Sequence, residues 1–391
     1  MLNIDQLRAE TIGTQHVLHF NNAGASLMPQ PVLDTMQEHL SLEATIGGYE
    51  AKAQVEPQLH RTYEAIAELI NADSDEIAIV ENATRAWTMA FYAIQFQAGD
   101  RILTSVAEYA SNMIAFLQVK QKVDISVEVV PNDAYGQVDV NVLRQMIDER
   151  VKLIAISHIP SQNGLIQPAN AIGQIANQYG ALFLLDACQS VGQLAIDVHQ
   201  IGCHMLSATG RKYLRGPRGI GFLYVASNVM SQLEPPLLDL HSATWVSADS
   251  YQLKPTATRF ENWEMNIAAK LGLGVAVEYA LNLGIDEIQT RVQSLASTLR
   301  QQLADIPKVT VRDVGQHQSG IVTFTVDGHD ANTIKSALHE HHINTSMTPR
   351  AYAINDFDAR GIESVVRASV HYYNSEAEIE RFCAVLSGMT S

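Results

Sequence analysis

The stretch GALFLLDACQSVGQL, residues 180–194, is an apolar run that ends in Asp186, with Gln189 three residues further along. A short, continuous run of apolar residues is typical of a strand covered on both faces, as in a parallel sheet. A carboxylate directly after such a strand is uncommon unless it has a partner. Asp186 therefore marks either the cap of a following helix or a functional site.

Similar apolar runs alternate with helical stretches on both sides of this segment. They are EIAIV (76–80), DRILTS (100–105), SVEVV (126–130), KLIAIS (152–157) and GIGFLYV (219–225). Strands that alternate with helices predict an α/β fold with a mostly parallel sheet. Ligands of such sheets bind at the carboxyl ends of the strands, so we expect the site in the loops that follow them.

The last third of the chain has a different pattern. A long helical stretch leads to the strand-like GIVTFTV (320–326) and to a closing helix near residues 375–388. A chain of 391 residues also exceeds what one hydrophobic core usually organises. We predict a large domain at residues 19–250 and a smaller α+β domain formed by residues 1–18 and 251–391.

Composition and charge exclude several classes of protein. The chain has 26 Lys and Arg against 42 Asp and Glu, a formal net charge of −16, which argues against nucleic-acid or anionic-membrane partners. The N-terminal MLNIDQLRAE is charged and lacks an apolar signal core, so we expect a cytoplasmic protein. Cys188, Cys203 and Cys383 have no metal-ligand spacing and are expected to be small core residues, with no metal site.

A second stretch, SATGRKYLRGPRGIGFLYV at residues 207–225, contains Lys212. Thr209, Arg211 and several glycines surround this lysine, and such a loop suits a phosphate group because it combines charge with close backbone approach. Alone, the lysine would fit an ordinary solvated turn. Its occurrence 26 residues after Asp186, in a Gly-rich loop before the next strand, favours a shared site.

These stretches, together with FNNAGASLMP (20–29) and VRASVHYYNSEAEIERF (366–382), resemble the class V aminotransferase family of fold type I pyridoxal phosphate enzymes. The family includes cysteine desulfurases, isopenicillin N epimerase and hercynylcysteine sulfoxide lyase. The resemblance implies that Lys212 holds the cofactor as a Schiff base and then acts as base at the substrate α-carbon. It further implies that Asp186 pairs with the pyridine nitrogen and that Gln189 contacts the phenolic oxygen.

The same resemblance implies a set of phosphate-binding residues. Ala83 and Thr84, in ENATRAWTMAF at residues 81–91, open a helix whose N–H groups favour an anion. Thr209 and Arg211 would complete the phosphate site.

Further residues are implied around the cofactor ring. Tyr109, in AEYASNMIAF, would stack on the ring, although a lone tyrosine also fits core packing. His158 and Ser161, in SHIPSQNGLIQP at residues 157–168, are candidates to reach the cofactor, and His158 equally fits a core histidine.

The resemblance also implies where an amino-acid substrate binds. Arg367 would bind its α-carboxylate, the alternative being a surface ion pair. Asn22, Ala23 and Gly24 resemble residues that shape the substrate mouth, as does GGYEA at residues 47–51.

Two departures from the family pattern narrow the expected chemistry. Cysteine desulfurases carry a loop cysteine upstream of the carboxylate-binding arginine, whereas INTSMTPRAYAINDFDARGIESVVRAS (343–369) has none, so ordinary desulfuration is not expected. Many relatives also extend a Gly-Thr pair to the partner subunit's phosphate. This chain has Trp263 and Glu264 in RFENWEMNIA (259–268), so that contact is lost, moved to HSATW (241–245) or replaced.

With these departures the chain looks similar to the subgroup that contains hercynylcysteine sulfoxide lyase, which implies carbon–sulfur cleavage by β-elimination. An aminotransferase and an amino-acid epimerase remain alternatives because both use the same lysine and aspartate. A non-enzymatic scaffold is disfavoured by the retained Asp186, Lys212 and Arg367. The family also implies a homodimer.

Overall fold

Fifteen strands and fourteen α-helices occur in residues 2–390, the part of the chain described by the structure, which is a computed structural model. The strands are β1 Leu18–His19, β2 Ile77–Val80, β3 Arg101–Ser105, β4 Ser126–Val130, β5 Val151–Ser157, β6 Leu182–Asp186, β7 Met205–Thr209, β8 Gly221–Val225, β9 Ala243–Ser247, β10 Ser250–Leu253, β11 Val309–Val311, β12 Ile321–Val326, β13 Ile343–Asn344, β14 Ser346–Pro349 and β15 Ser364–Ser369. The helices are α1 Ile4–Ala9, α2 Gln30–Ile46, α3 Gly48–Gln54, α4 Glu56–Ile70, α5 Ala83–Tyr92, α6 Ala110–Lys120, α7 Val140–Met146, α8 Ala169–Tyr179, α9 Val198–Ile201, α10 Ile267–Leu283, α11 Ile285–Ala304, α12 Ala331–Glu340, α13 Ile354–Arg360 and α14 Glu376–Thr390.

Seven strands form the central sheet in the order β2-β8-β7-β6-β5-β3-β4. The pairs β3–β4, β3–β5, β5–β6 and β6–β7 are parallel, and β8 runs antiparallel to both of its neighbours. The α/β class and the mostly parallel sheet are thus confirmed. The reversed strand β8, which returns directly after the Lys212 loop, was not expected from its apolar run.

The apolar strands are buried on both faces by helices, as their sequences predict, except the edge strand β4, most of whose residues are half-buried. Along β2, Ile77 and Ile79 belong to one hydrophobic core, whereas the alternate residues Ala78 and Val80 belong to a second. Side chains of successive strand residues point to opposite faces, so a single sheet separates the two cores. The second core contains the fully buried Trp87 of α5.

A smaller antiparallel sheet of order β11-β12-β15-β14 lies in the C-terminal part of the chain. The strand predicted from GIVTFTV is β12, and the closing helix is α14. Near the N-terminus, β1 pairs in parallel with β13, which ties the start of the chain to this second unit. The domain boundary predicted at residue 250 falls within the hairpin β9–β10, so its placement stays a prediction.

Within residues 2–390 no single helix is long and apolar enough to cross a membrane. The helices α10 and α11 together have the length and composition of a span, but they are bent by 82° at their junction. Residues 2–390 also contain no cluster of three or more His, Cys, Asp or Glu that could hold a metal ion.

Candidate active site

A cavity of about 410 Å³ lies at the carboxyl ends of the central strands. The loops after β2, β3, β5, β6 and β7 each contribute to its wall, as expected for a parallel sheet. A smaller cavity of about 300 Å³ shares Tyr109, Ser161, Gln189 and Lys212 with it and forms its mouth. The mouth is completed by Arg367 and by the segment around β14.

Lys212 follows β7 and lines both the cavity and its mouth. The residue is 9% exposed, and burial lowers the pKa of its amine. The positive charges of Arg211 and Arg367 lower that pKa further, while Cys188 and Asp186 oppose the shift. A buried amine with a lowered pKa is suited to nucleophilic attack and to proton transfer near neutral pH.

Asp186 is the last residue of β6, and its buried carboxylate lines the cavity. It accepts hydrogen bonds from the backbone N–H of Cys188 at 3.0 Å and from Asn112 Nδ2 at 3.2 Å. Burial raises the pKa of this carboxyl, and the hydrogen bonds and the charge of Lys212 partly offset the rise. A helix cap would be solvated, so the burial favours the functional interpretation of this residue.

The N-terminus of the ten-residue helix α5 forms one end of the cavity. Ala83 and Thr84 line it there, and the side chain of the N-cap residue Asn82 accepts from Arg85 N at 2.9 Å. Thr209 and Arg211 also line the cavity, and the guanidinium of Arg211 donates to Gly24 O at the mouth. Helix N–H groups, a hydroxyl and a guanidinium thus line one cavity, and this combination of groups suits a phosphate.

Tyr109 and Gln189 line both the cavity and its mouth. Tyr109 is 42% exposed, which excludes the alternative of core packing. Gln189 donates both amide hydrogens, to Ala23 O at 3.1 Å and to Ser161 Oγ at 3.0 Å. Its Oε1 has no partner within residues 2–390, so donation to a phenolic oxygen requires rotation of the amide.

Arg367, on β15, places a guanidinium in the mouth although the residue is only 9% exposed. Its contacts are long, 3.5 Å each, and involve the neutral oxygens Ser161 O and Asn21 Oδ1. Among the described residues its Nε has no hydrogen-bond partner. Burial lowers the pKa of the guanidinium to about 10, the sign of a cation that lacks an anion. The alternative prediction, that Arg367 forms an ion pair at the surface, is therefore wrong.

Two residues assigned to the site from the sequence lie elsewhere. His158 does not line the cavity, although Ser157 and Ile159 on either side of it do, and burial lowers the pKa of its imidazole to about 4. Asn22 is fully buried and donates to Ser369 O at 2.7 Å, so it joins the N-terminal segment to β15. Its neighbours Ala23 and Gly24 line the mouth as predicted, together with Asn21, which the sequence did not single out.

The cavity contains residues that sequence reasoning missed. Cys188 lines it beside Lys212, so the expectation that it is a core residue is wrong. Asn112 also lines the cavity, and its amide links Asp186 to the buried Glu108. The only available signal was the spacing of Glu108 and Asn112 around Tyr109 in EYASN.

The segments expected near a partner subunit lie away from this cavity, and so does GGYEA, which was expected at the substrate mouth. Trp263 and Glu264 line a separate groove with Tyr49 of the GGYEA segment. His241, of HSATW, is bound to Glu261 at 2.9 Å. None of these residues is among those that line the cavity or its mouth within the single chain.

Enzymes that use pyridoxal phosphate are the class of protein that this cavity fits. Its volume suits a small cofactor. The buried amine of Lys212 shares the cavity with the carboxylate of Asp186, and the anion-binding end at α5 matches a phosphate. The unpaired guanidinium of Arg367 leaves room for one more anion at the mouth.

Comparisons with known proteins agree on one family. The family described as Aminotransferase class-V matches residues 18–382. A probable cysteine desulfurase of Pyrococcus abyssi is 30% identical, over 98% of this chain and 96% of that protein. A cysteine desulfurase from Thermococcus onnurineus NA1, solved in its apo form, has a TM-score of 0.92 at 27% identity and covers 100% of this chain and 98% of that one.

The chain belongs to the class V aminotransferase family. It is a pyridoxal phosphate-dependent enzyme with a cysteine desulfurase-like fold, as the resemblance implied. The closer resemblance to hercynylcysteine sulfoxide lyase and the roles of single residues stay predictions.

Proposed function

We propose that this enzyme is a carbon–sulfur lyase that removes the sulfur substituent of a cysteine conjugate by β-elimination. The mouth of the cavity carries the proposal. Arg367 offers a buried cation for an amino-acid carboxylate, while the segment that faces it contributes Ser346, Met347, Thr348 and Tyr352 and no thiol. The relatives' name, cysteine desulfurase, supports chemistry at a carbon–sulfur bond.

The residues of the cavity fit pyridoxal phosphate in three respects. Ala83, Thr84, Thr209 and Arg211 would hold the phosphate, and Asp186 would hold a proton on the ring nitrogen. Tyr109 would cover one face of the ring. When bound, the cofactor supplies an electron sink for the pair of electrons that the α-carbon keeps as it loses its proton.

Lys212 Nζ would take the proton from the substrate α-carbon. A base must be unprotonated, and burial favours this state because it lowers the pKa of the amine. Arg367 would orient the substrate by two parallel hydrogen bonds to its carboxylate. The bond between the β-carbon and sulfur then breaks, sulfur leaves with the electron pair, and hydrolysis of the remainder gives pyruvate and ammonia.

The cysteine that does line the cavity does not favour sulfur transfer to a thiol. Burial raises the pKa of Cys188, so this thiol is protonated at neutral pH. Cys203 and Cys383 are buried outside the cavity. Elimination needs no thiolate, and it therefore fits this set of cysteines better than persulfide formation does.

The proposal is tested by product analysis of the cofactor-loaded enzyme with L-cysteine, S-substituted cysteines and their sulfoxides. Pyruvate and ammonia in equal amounts support elimination. Alanine formed from cysteine would indicate desulfuration, a keto acid that keeps its sulfur would indicate amino transfer, and a racemised amino acid would indicate epimerisation. Each of these three outcomes contradicts the proposal.

Lys212→Ala tests the base, with Lys270→Ala as matched control. Lys270 is also a buried lysine, but it packs on Tyr63, with its Nζ 4.2 Å from the ring centroid, and does not line the cavity. We expect Lys212→Ala to lower the rate at least about 10²- to 10⁴-fold and to abolish visible absorption that borohydride bleaches. Retention of that bleaching would contradict the assignment of Lys212.

A further inference from the structure

A second buried carboxylate, Glu108, lies behind Asp186 and has no part in the steps above. Glu108 follows β3 and is 3% exposed. It accepts hydrogen bonds from the backbone N–H groups of Tyr109 at 2.8 Å and Ser157 at 3.0 Å. The hydroxyls of Ser157 and Thr104 donate to it at 2.7 and 3.1 Å.

Asn112 connects the two carboxylates. Its Nδ2 lies 2.8 Å from Glu108 Oε1 and 3.2 Å from Asp186 Oδ2, so one amide group donates to both. All five groups that donate hydrogen bonds to Glu108 are neutral. An ionised carboxylate only accepts hydrogen bonds, so this set of donors matches the ionised form of Glu108. A buried negative charge without a cationic partner destabilises the fold, so we expect the carboxylate of Glu108 to have a function that offsets this cost.

We propose that Glu108 is a positioning residue that acts through Asn112, places a second negative charge behind Asp186 and thereby stabilises a proton on the cofactor's ring nitrogen. This inference rests on the proposed role of Asp186. A negative charge stabilises a nearby protonated nitrogen, and water does not screen the interaction in a buried site.

The charged and titratable neighbours of the pair fit this arrangement. Lys212 faces Asp186 from the loop after β7, and Cys188 lies beside both. Burial raises the pKa of Glu108 to about 7, and the charge of Asp186 contributes to the rise. Above the pKa of Glu108 this carboxylate is ionised, and a protonated ring nitrogen beside Asp186 is the cation that would balance its charge.

The test compares two ligands that differ only at the ring nitrogen. Cofactor-free protein is titrated at roughly pH 8, above the pKa of Glu108, with pyridoxal phosphate and with 1-deazapyridoxal phosphate, in which carbon replaces that nitrogen. Fluorescence of Trp87, which lines the cavity, reports binding. We expect Glu108→Gln to weaken pyridoxal phosphate roughly tenfold, equivalent to one pKa unit, and to leave affinity for the deaza analogue unchanged.

Glu76→Gln is the matched control, because Glu76 is also a buried glutamate that accepts from backbone N–H groups but lies outside the cavity. It should alter neither affinity. An equal loss for both ligands in Glu108→Gln would mean a merely structural role and would overturn the inference.

Asn112→Ala provides a second variant if Glu108→Gln does not fold. Without the bridging amide the two carboxylates repel each other, so one takes up a proton and the preference for pyridoxal phosphate falls in the same direction. An unchanged preference overturns the inference. If the unsubstituted protein binds both ligands equally, the proposed role of Asp186 at the ring nitrogen is contradicted as well. This result distinguishes an error about Asp186 from an error about Glu108 alone.

Discussion

At the scale of single residues, Arg367 has the clearest unmet requirement. A buried guanidinium normally has an anionic partner. Here it has two long contacts to neutral oxygens and an unpaired Nε within the described residues. The substrate carboxylate would supply the missing partner, so this residue should govern substrate affinity more than the chemical step.

We expect Arg367→Lys to raise KM for the amino acid roughly 10- to 100-fold and to change kcat much less. Lysine keeps the charge but cannot bind a carboxylate through two parallel hydrogen bonds, and charged hydrogen bonds contribute about 1.5–3 kcal/mol. Steady-state kinetics checks this, with Arg350→Lys as control because Arg350 is an exposed arginine that pairs with Asp358. A fall in kcat at constant KM would contradict the carboxylate-binding role.

Residues were predicted well where a motif fixes both identity and position. Asp186 ends β6 and Lys212 follows the neighbouring parallel strand β7, so both side chains lie at the same edge of the sheet. Asn22 and His158 do not line the cavity or its mouth, whereas residues one position away from each of them do. The sequence does not specify which side of an irregular segment faces a cavity. Glu108 was missed because its donors come from separate segments of the chain.

At the scale of elements, the turn after β6 packs tightly against the loop that carries Lys212. Gly192 has φ +92°, and a Cβ atom there would lie 2.4 Å from the backbone carbon of Tyr213. Tyr213 is the residue after Lys212, so the two loops are held in register by this close approach. A side chain at Gly192 must displace the lysine loop or the turn itself.

Gly192→Ala should therefore lower the melting temperature and weaken cofactor binding together. Gly180→Ala is the control, since Gly180 also has positive φ, +72°, but nothing lies within 4 Å of its Cβ position. Left-handed backbone alone costs about 1–2 kcal/mol, and the clash at Gly192 should add roughly 1–3 kcal/mol. Thermal unfolding with and without cofactor measures both, and equal effects of the two substitutions would contradict the packing argument.

Elements were predicted well where burial imposes an apolar pattern. The strands β5, β6 and β12 match their expected positions, and the long helical stretch expected before β12 forms α10 and α11. The direction of β8 was not predicted because an apolar run indicates that a strand is buried but not whether it runs parallel or antiparallel to its neighbours. The hairpin β9–β10 was missed since its residues are mostly exposed, so no buried face imposes an alternating pattern.

At the scale of the whole molecule, this hairpin exposes large apolar side chains. Trp245 is 73% exposed and Tyr251, opposite it in the register, is 51% exposed. Leu240, which precedes the hairpin, is 74% exposed. Contiguous exposed apolar surface is typical of an interface, and the expected homodimer would cover it.

We propose that the enzyme is a homodimer and predict that Trp245→Ser weakens it at least about tenfold, since interface tryptophans commonly contribute 2 kcal/mol or more. Light scattering over a range of protein concentrations measures the dissociation. Tyr179→Ser serves as control, because Tyr179 is an exposed aromatic residue on α8, 42% exposed. A wild-type protein that is monomeric at micromolar concentration would contradict the dimer.

The pairing of β1 with β13 has a consequence for the order in which the chain is synthesised. The central sheet needs residues 77–225 only, whereas Leu18 pairs with Ile343 and Asn22 binds Ser369. A ribosome thus releases the strands of the cofactor cavity well before the partners of the N-terminal segment. Until residue 369 has left the ribosome, the N-terminal segment lacks its hydrogen-bond partners. The substrate mouth is therefore the last part of the enzyme to form.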